Sequence, residues 1–269
     1  MSLQPPAYVD LSYARLTIAA ALILANAGLS ISLSLGLERR LLVAAARTIV
    51  QLLLVGLILE WVFELESWYA IAAVGLVMVF AAGRAAIGNV SRRYSGVWLD
   101  GLLAMGLASW SVTALALTTI VRPVPWFQPQ YAIPLLGMML GNSLNGVSLG
   151  LDRLGEELVG KRREIDGRLA LGATRWEAAA EPVRTAIRTG LVPITNSMMV
   201  VGIVSLPGMM TGQLLAGASP TEAVKYQVMV MFLIATATAL GTVTVVLLAF
   251  RRLFNDSHQF LRDRLTKAD

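Results

Sequence analysis

The sequence predicts an all-α, polytopic membrane protein with about seven transmembrane helices. Three observations carry that prediction. Hydrophobic residues make up 56% of the 269-residue chain and charged residues only 14%, with a mean hydropathy of +0.67, outside the usual balance for a soluble domain of that length. The apolar residues gather in runs of about 20, enough to cross a hydrocarbon core of about 30 Å as helix. Lys and Arg lie at the ends of those runs, where topology determinants sit.

Taken in order, the spans are expected at about Tyr13 to Leu35, Leu41 to Trp61, Trp68 to Gly88, Trp98 to Val121, Tyr131 to Leu151, Gly190 to Leu214 and Ala223 to Phe250. The first lacks a basic leading region and runs longer than a signal-peptide core, so it is expected to be retained. Trp61, Trp68, Trp98 and Trp126 fall at span ends, where amphipathic indoles favour the interface. Pro134, Pro193 and Pro207 mark expected kinks or interruptions in spans five and six, and Pro207 leaves open whether span six crosses or re-enters. The connections are short except for a charged stretch at about 152–189 and a tail at 251–269. Residues 1–269 are therefore expected to form one transmembrane domain.

Sidedness follows from the cations. Arg39, Arg40, Arg92, Arg93, the 152–189 stretch and the tail fall on one side. The other side has only Arg122 and Lys225 in its loops, beside Glu60, Glu64 and Glu66. The positive-inside rule then puts the N-terminus outside and the C-terminus in the cytoplasm, as an odd number of spans requires. The expected location is the inner (plasma) membrane, with the lipid bilayer as main solvent.

Several chemistries are excluded or disfavoured. There is no cysteine, hence no disulfide, thiolate or cysteine-ligated metal. The pI of 9.9 reflects topology rather than a nucleic-acid surface, because the cations sit at span ends. Gly155 to Arg162, GEELVGKR, imitates a phosphate-binding loop. No strand precedes it, Arg162 replaces the magnesium-binding hydroxyl, and Glu156 and Glu157 would repel phosphate. No nucleotide cofactor is expected on this chain. Gly146 to Gly150, GVSLG, imitates a nucleophile elbow at Ser148. That elbow needs a strand, and His258, the only histidine, is expected to be solvated in the tail, so close helix packing is the favoured reading over a membrane-embedded serine hydrolase.

An internal echo is more informative. Gly137 to Asn142 reads GMMLGN and Gly208 to Gln213 reads GMMTGQ. Both copies are expected in the outer half of the membrane, where they could face one another. Gly137, Gly141, Gly208 and Gly212 would permit close helix packing, and Asn142 and Gln213 could bond across helices or line a path. Met138, Met139, Met198, Met199, Met209, Met210, Met229 and Met231 crowd the last three spans. Thioethers fill irregular gaps and can also hold soft metals, filler being favoured. A wide, weakly binding path fits these residues better than a dehydrated metal site. Arg47, with Thr48 and Gln51, makes a polar stripe in span two. Either Arg47 faces protein or water, or it snorkels to the inner headgroups.

The 152–189 stretch carries EIDGRLALGAT at Glu164 to Thr174. Gly172 reads as a hinge between helical pieces and Thr174 as the cap of the second, while Arg168, Arg175 and Glu177 offer a charged surface. Here the chain resembles a known family. The LGAT core before a late span looks like the coupling loop of an ABC-transporter permease. RTIVQLLLVG (Arg47 to Gly56), PLLGMMLGNSLNGVSLGLDRL (Pro134 to Leu154) and GIVSLPGMMTGQLLAGASPTEAVKYQ (Gly202 to Gln227) resemble the FetB-type permeases over nearly the whole chain. These are described as iron exporters, with plant relatives linked to aluminium tolerance and UDP-glucose transport.

The resemblance implies a permease that pairs as two copies with two separate ATP-binding subunits. ATP and Mg would be held by those partners. It implies ATPase contact at Glu164, Arg168, Gly172, Ala173 and Thr174. It makes Arg47, Gln51, Met138, Met139, Asn142, Asn145, Asn196, Met209, Met210 and Gln213 candidate pathway residues. It carries over no substrate ligand, so iron, another metal and a sugar nucleotide all stay open. A channel or secondary transporter would need no partner, yet the chain shows neither paired intramembrane carboxylates nor a filter-like sequence.

Overall fold

The structure is a computed structural model that describes residues 12–65 and 67–267; Glu66, counted above among the acidic connections, lies outside the described residues. Helix α1 spans Tyr13–Ser32, α2 Glu38–Leu65 and α3 Trp68–Gly88, followed by strand β1 at Arg92–Tyr94. Next come α4, Val97–Leu115, prolonged by a π-helical turn at Ala116–Val121, and α5, Pro129–Gly160. Helices α6, Arg162–Ala170, α7, Arg175–Val200, α8, Gly208–Leu215, and α9, Pro220–Leu253, complete the bundle before strand β2 at Leu265–Lys267. The described residues are thus all-α apart from one two-stranded ribbon.

Among the described residues, six helices are long and apolar enough to cross a membrane: those at 15–32, 38–65, 68–88, 97–121, 129–160 and 220–253. Five of the expected spans and the last therefore appear as helices, with ends shifted by a few residues. Span six does not. The segment expected from Gly190 to Leu214 is the second half of α7, a non-helical break at 201–207, and the short α8. Its hydropathy is continuous but its backbone is not: Val201 turns extended, Gly202 adopts φ +84° and Pro207 bars helix through its own nitrogen.

The 152–189 stretch also differs from a loop. Helix α5 runs on to Gly160 and α7 begins at Arg175, because the charges that looked loop-like pair along helix surfaces. Glu157, though buried, meets Arg153 at 2.6 Å and Lys161 at 3.0 Å, both four residues away, the spacing at which helical side chains adjoin.

Helices α5 and α9 form the centre, flanked by α4, α7 and α3, while α1 packs on α2. Helix α2 reaches the bundle through the buried Val62. The core falls into two stacked parts. One, near the charge-rich end, includes Leu140, Val147, Leu154, Ile165, Val183 and Phe254. The other, toward the distal end, includes Val62, Met139, Ile194, Val230 and Ile234. Between them the helices touch closely: a Cβ on Gly190 would lie 2.6 Å from Gly146 O, and one on Gly146 would lie 2.5 Å from Thr242 Oγ1. Small residues here let α5 and α7 cross backbone to backbone, with the Thr242 side chain of α9 against both.

Candidate functional site

Two places combine exposure, polarity and shape. The first is the charge-rich end. Ile165, buried in the core, pins α6 down, so Glu164 and Arg168 face outward and pair at 2.6 Å. The helix ends in a Schellman turn: Gly172 at φ +92° donates its N–H to Leu169 O and Ala173 donates to Arg168 O. Only glycine adopts that left-handed conformation without strain. Thr174 then caps α7 in a full capping box, its Oγ1 accepting from Glu177 N–H while Glu177 Oε2 accepts from Thr174 N–H at 2.8 Å. Those bonds from Thr174 hold the Glu177 carboxyl below its ordinary range. The turn between α6 and α7 lifts Leu171 into the open, 90% exposed. Glu164, Arg168, Gly172, Ala173 and Thr174 thus lie on one continuous element, hinge and cap as the sequence suggests.

The tail braces this element. Arg175 N–H donates to His258 Nδ1 at 3.1 Å, and the Arg175 guanidinium bonds Asn255 O and Asp256 Oδ1. His258 is solvent-exposed, as expected, and its engagement at α7 keeps it from Ser148, which is buried in α5. The packing reading of GVSLG is the one the coordinates support, since Gly146 and Gly150 face Thr242 and Val246. Lys161, bonded to Glu181 and Glu157, has its ammonium pKa raised by those partners, Glu181 first. Distant in sequence, Asp100 is 2% exposed and bound by Arg252 and by Tyr94 Oη at 2.9 Å. Burial first, then the Asp100 charge, pushes the Tyr94 phenol far above the usual tyrosine value.

The second place is a pair of adjoining cavities at the α7–α8 break. One, about 330 Å³, is lined by Met138 and Asn142 of α5, Ile194 and Ser197 of α7, Met209 of α8, and Gln227 and Met231 of α9. The other, also about 330 Å³, shares Val201, Gln227 and Met231 and adds Met198 and Met210. The GMMxG echo is real in space to this extent: Met138 and Met209, second residues of the two copies, line one cavity. Gln227 is the residue sequence reasoning missed. It is 6% exposed and its Oε1 has no partner among the described residues, a deficit of about 1–3 kcal/mol unless a solute or water fills it. A polar side chain within the first turns of the last apolar span is the available signal. No charged side chain lines either cavity.

Other expected residues fall elsewhere. Met139 is fully buried in the core. Arg47, Gln51, Asn145 and Asn196 are exposed and line neither cavity. Gln213 is half-buried with an unpartnered Oε1 but also lies outside them. Of the four packing glycines, Gly137 alone has a close neighbour, Met78 Cε at 3.1 Å from a built Cβ; Gly141, Gly208 and Gly212 meet nothing within 4 Å. The packing role belongs to Gly146 and Gly190 instead. No cluster of three or more His, Cys, Asp or Glu that could hold a metal occurs among the described residues.

A model of the uncharacterised protein family UPF0014 matches residues 13–254. A UPF0014 membrane protein of Synechocystis sp. is 41% identical, over 84% of this chain and 88% of that one. The Probable iron export permease protein FetB of Escherichia coli is 33% identical, over 87% and 88%. Protein ALUMINUM SENSITIVE 3 of Arabidopsis thaliana is 32% identical, over 86% and 83%. No solved structure matches.

Proposed function

The chain belongs to the UPF0014 family and is a multi-pass integral membrane protein, and on that premise we propose that it is the permease subunit of an ABC transporter, energised by a separate ATP-binding subunit. The α6–α7 turn carries the reading: a short helix held flat by Ile165, a Schellman turn at Gly172, a capping box at Thr174 and a leucine raised clear of the surface. Such an element is stiff enough to pass a push from a soluble partner into α7. The charge-rich end is then cytoplasmic, the C-terminus with it, in the inner (plasma) membrane. ATP and Mg belong to the partner, and two copies of each subunit make the transporter.

The substrate reading is export of iron or another metal. It draws on the name of the Escherichia coli relative and on the cavity lining. A sugar nucleotide carries a diphosphate, and burying that charge where no Lys or Arg lines the cavity is costly. Thioethers of Met138, Met209 and Met231 with the amides of Asn142 and Gln227 suit a weakly held, soft cation in transit better. Purification with the ATP-binding protein encoded beside this chain, followed by ATP hydrolysis with candidate metals and UDP-glucose, tests both parts. A complex stimulated by a metal supports the reading. Failure of any ATPase to associate overturns it in favour of a partner-free transporter.

A further inference from the structure

A methionine that serves as filler closes the gap it borders. Met105 and Met139, fully buried in the two parts of the core, do so. Near the distal end three others border a gap that stays open. Met138 of α5, Met209 of α8 and Met229 of α9, together with Tyr131 and Tyr226, line a cavity of about 30 Å³, room for one small ion. The placement is regular. Tyr131 and Met138 stand seven apart on α5 and Tyr226 and Met229 three apart on α9, spacings that put each pair on one helix face. Met138 and Met229 each stand nine residues into their helices, from Pro129 and Pro220, so both lie roughly 13 Å below the distal end.

The donors decide what fits there. No charged side chain lines this cavity or the two at the α7–α8 break. The cost of taking an ion out of water rises with the square of its charge, so a divalent ion entering such a lining costs about four times what a monovalent one does. Thioethers are soft donors that select copper(I) and ions like it, whereas harder cations select imidazole, carboxylate or water. Water itself finds poor partners at the three sulfurs, since a thioether is a weak acceptor. Aromatic rings such as those of Tyr131 and Tyr226 attract cations through their negative faces.

We propose that Met138, Met209 and Met229 form a three-thioether site for a soft monovalent cation, copper(I) or silver(I), and that the ion reaches it from the Gln227 cavity by exchanging a single ligand. Met138 and Met209 line both cavities, Met231 only the larger and Met229 only the smaller. Two residues apart on α9, Met229 and Met231 point about 200° apart around the helix, one toward each cavity. Met229 takes the ion as Met231 releases it, while two thioethers hold on throughout, so the dehydrated charge is never bare. The two GMMxG segments each supply one of the retained sulfurs. The site rests on the transporter reading for the use of this step and narrows its metal to soft monovalent ions; binding itself needs no partner.

Silver(I) is an air-stable probe, and the chain has no cysteine and a single histidine, His258. Full-length His258→Ala protein, purified without a histidine tag into nanodiscs in chloride-free buffer, leaves thioethers as the soft donors. Calorimetric titration should give one tight silver(I) equivalent, and silver-edge X-ray absorption should show sulfur neighbours alone. Met138→Leu, Met209→Leu and Met229→Leu nearly conserve volume and should each weaken binding at least tenfold with the unfolding midpoint unmoved, whereas Met231→Leu should stay within about twofold. Zinc(II) or manganese(II) in about hundredfold excess should not displace the ion. No saturable binding, binding indifferent to all three substitutions, loss with Met231→Leu but not Met229→Leu, or displacement by either divalent ion each overturns the site. Silver(I) binding without any ATPase association refutes the transporter reading alone. An ATPase complex stimulated by a divalent metal and indifferent to Met229→Leu refutes the site alone.

Discussion

Arg252 closes on Asp100 through two parallel hydrogen bonds, Nε to Oδ2 at 2.5 Å and Nη2 to Oδ1 at 2.8 Å. The pair ties the end of α9 to the start of α4, and the geometry is the fork-on-carboxylate arrangement that makes arginine hard to replace. Arg252→Ala leaves Asp100 buried with Tyr94 alone. Because Arg252 is itself partly in water, the expected loss is about 2 kcal/mol rather than the larger cost of a fully buried pair, read as a lowered unfolding midpoint in detergent. Arg252→Lys should recover less than half of it.

Tyr94 adds a pH signature. Its folded phenol is held neutral well above the value of about 10 that an unfolded tyrosine has. A raised folded pKa contributes stability that is whole below about 10 and is lost as pH rises beyond it. Thermal unfolding should therefore weaken above that pH, and Tyr94→Phe should flatten part of the dependence while lowering the plateau.

At the α6–α7 turn, Gly172→Asp forces an L-residue to φ +92°, a strain of about 1–2 kcal/mol, and should abolish ATPase stimulation without preventing insertion. Leu171→Asp changes no backbone and should cut ATPase association at least tenfold, about 1.4 kcal/mol or more. Pull-down and hydrolysis assays separate the two, and normal stimulation in both variants would remove the turn from the coupling role.

Thr174→Ala should cost about 1 kcal/mol of local helix stability, visible as faster hydrogen exchange in the first turn of α7. Glu177 contributes in one direction only: its depressed pKa supplies support above the ordinary carboxylate range, lost as pH falls below it.

Gly190→Ala drives a methyl into Gly146 O and should destabilise by about 1–3 kcal/mol. Gln227→Leu removes an unsatisfied oxygen, so it should leave the unfolding midpoint level or raised while lowering metal-stimulated hydrolysis about tenfold.

The fold was legible where physics is local. Six helices follow from length and apolarity alone, and Gly172 and Thr174 announce themselves because a positive φ and a capping box have few residue choices. The charge-rich end of α5 reads as a loop in the sequence, because Arg153, Glu157 and Lys161 look like loop charges until their i,i+4 pairing is seen. Equal hydropathy on both sides of Val201 hid the break in span six. Within the candidate site, Met138, Asn142 and Met209 were found by their repeated motif, whereas Gln227 shares no motif with them. Asp100 and Arg252 stand 152 positions apart, and nothing in either neighbourhood points to the other.

The ribbon joining Arg93 to Thr266 and Tyr94 to Leu265 has a consequence for biogenesis. A strand emerging after α3 must wait, with its edge unpaired, while six further helices are synthesised before its mate arrives. The ribbon can thus close only when nearly all of the helices have been made, so a nascent chain stalled anywhere before Leu265 would still carry that open edge.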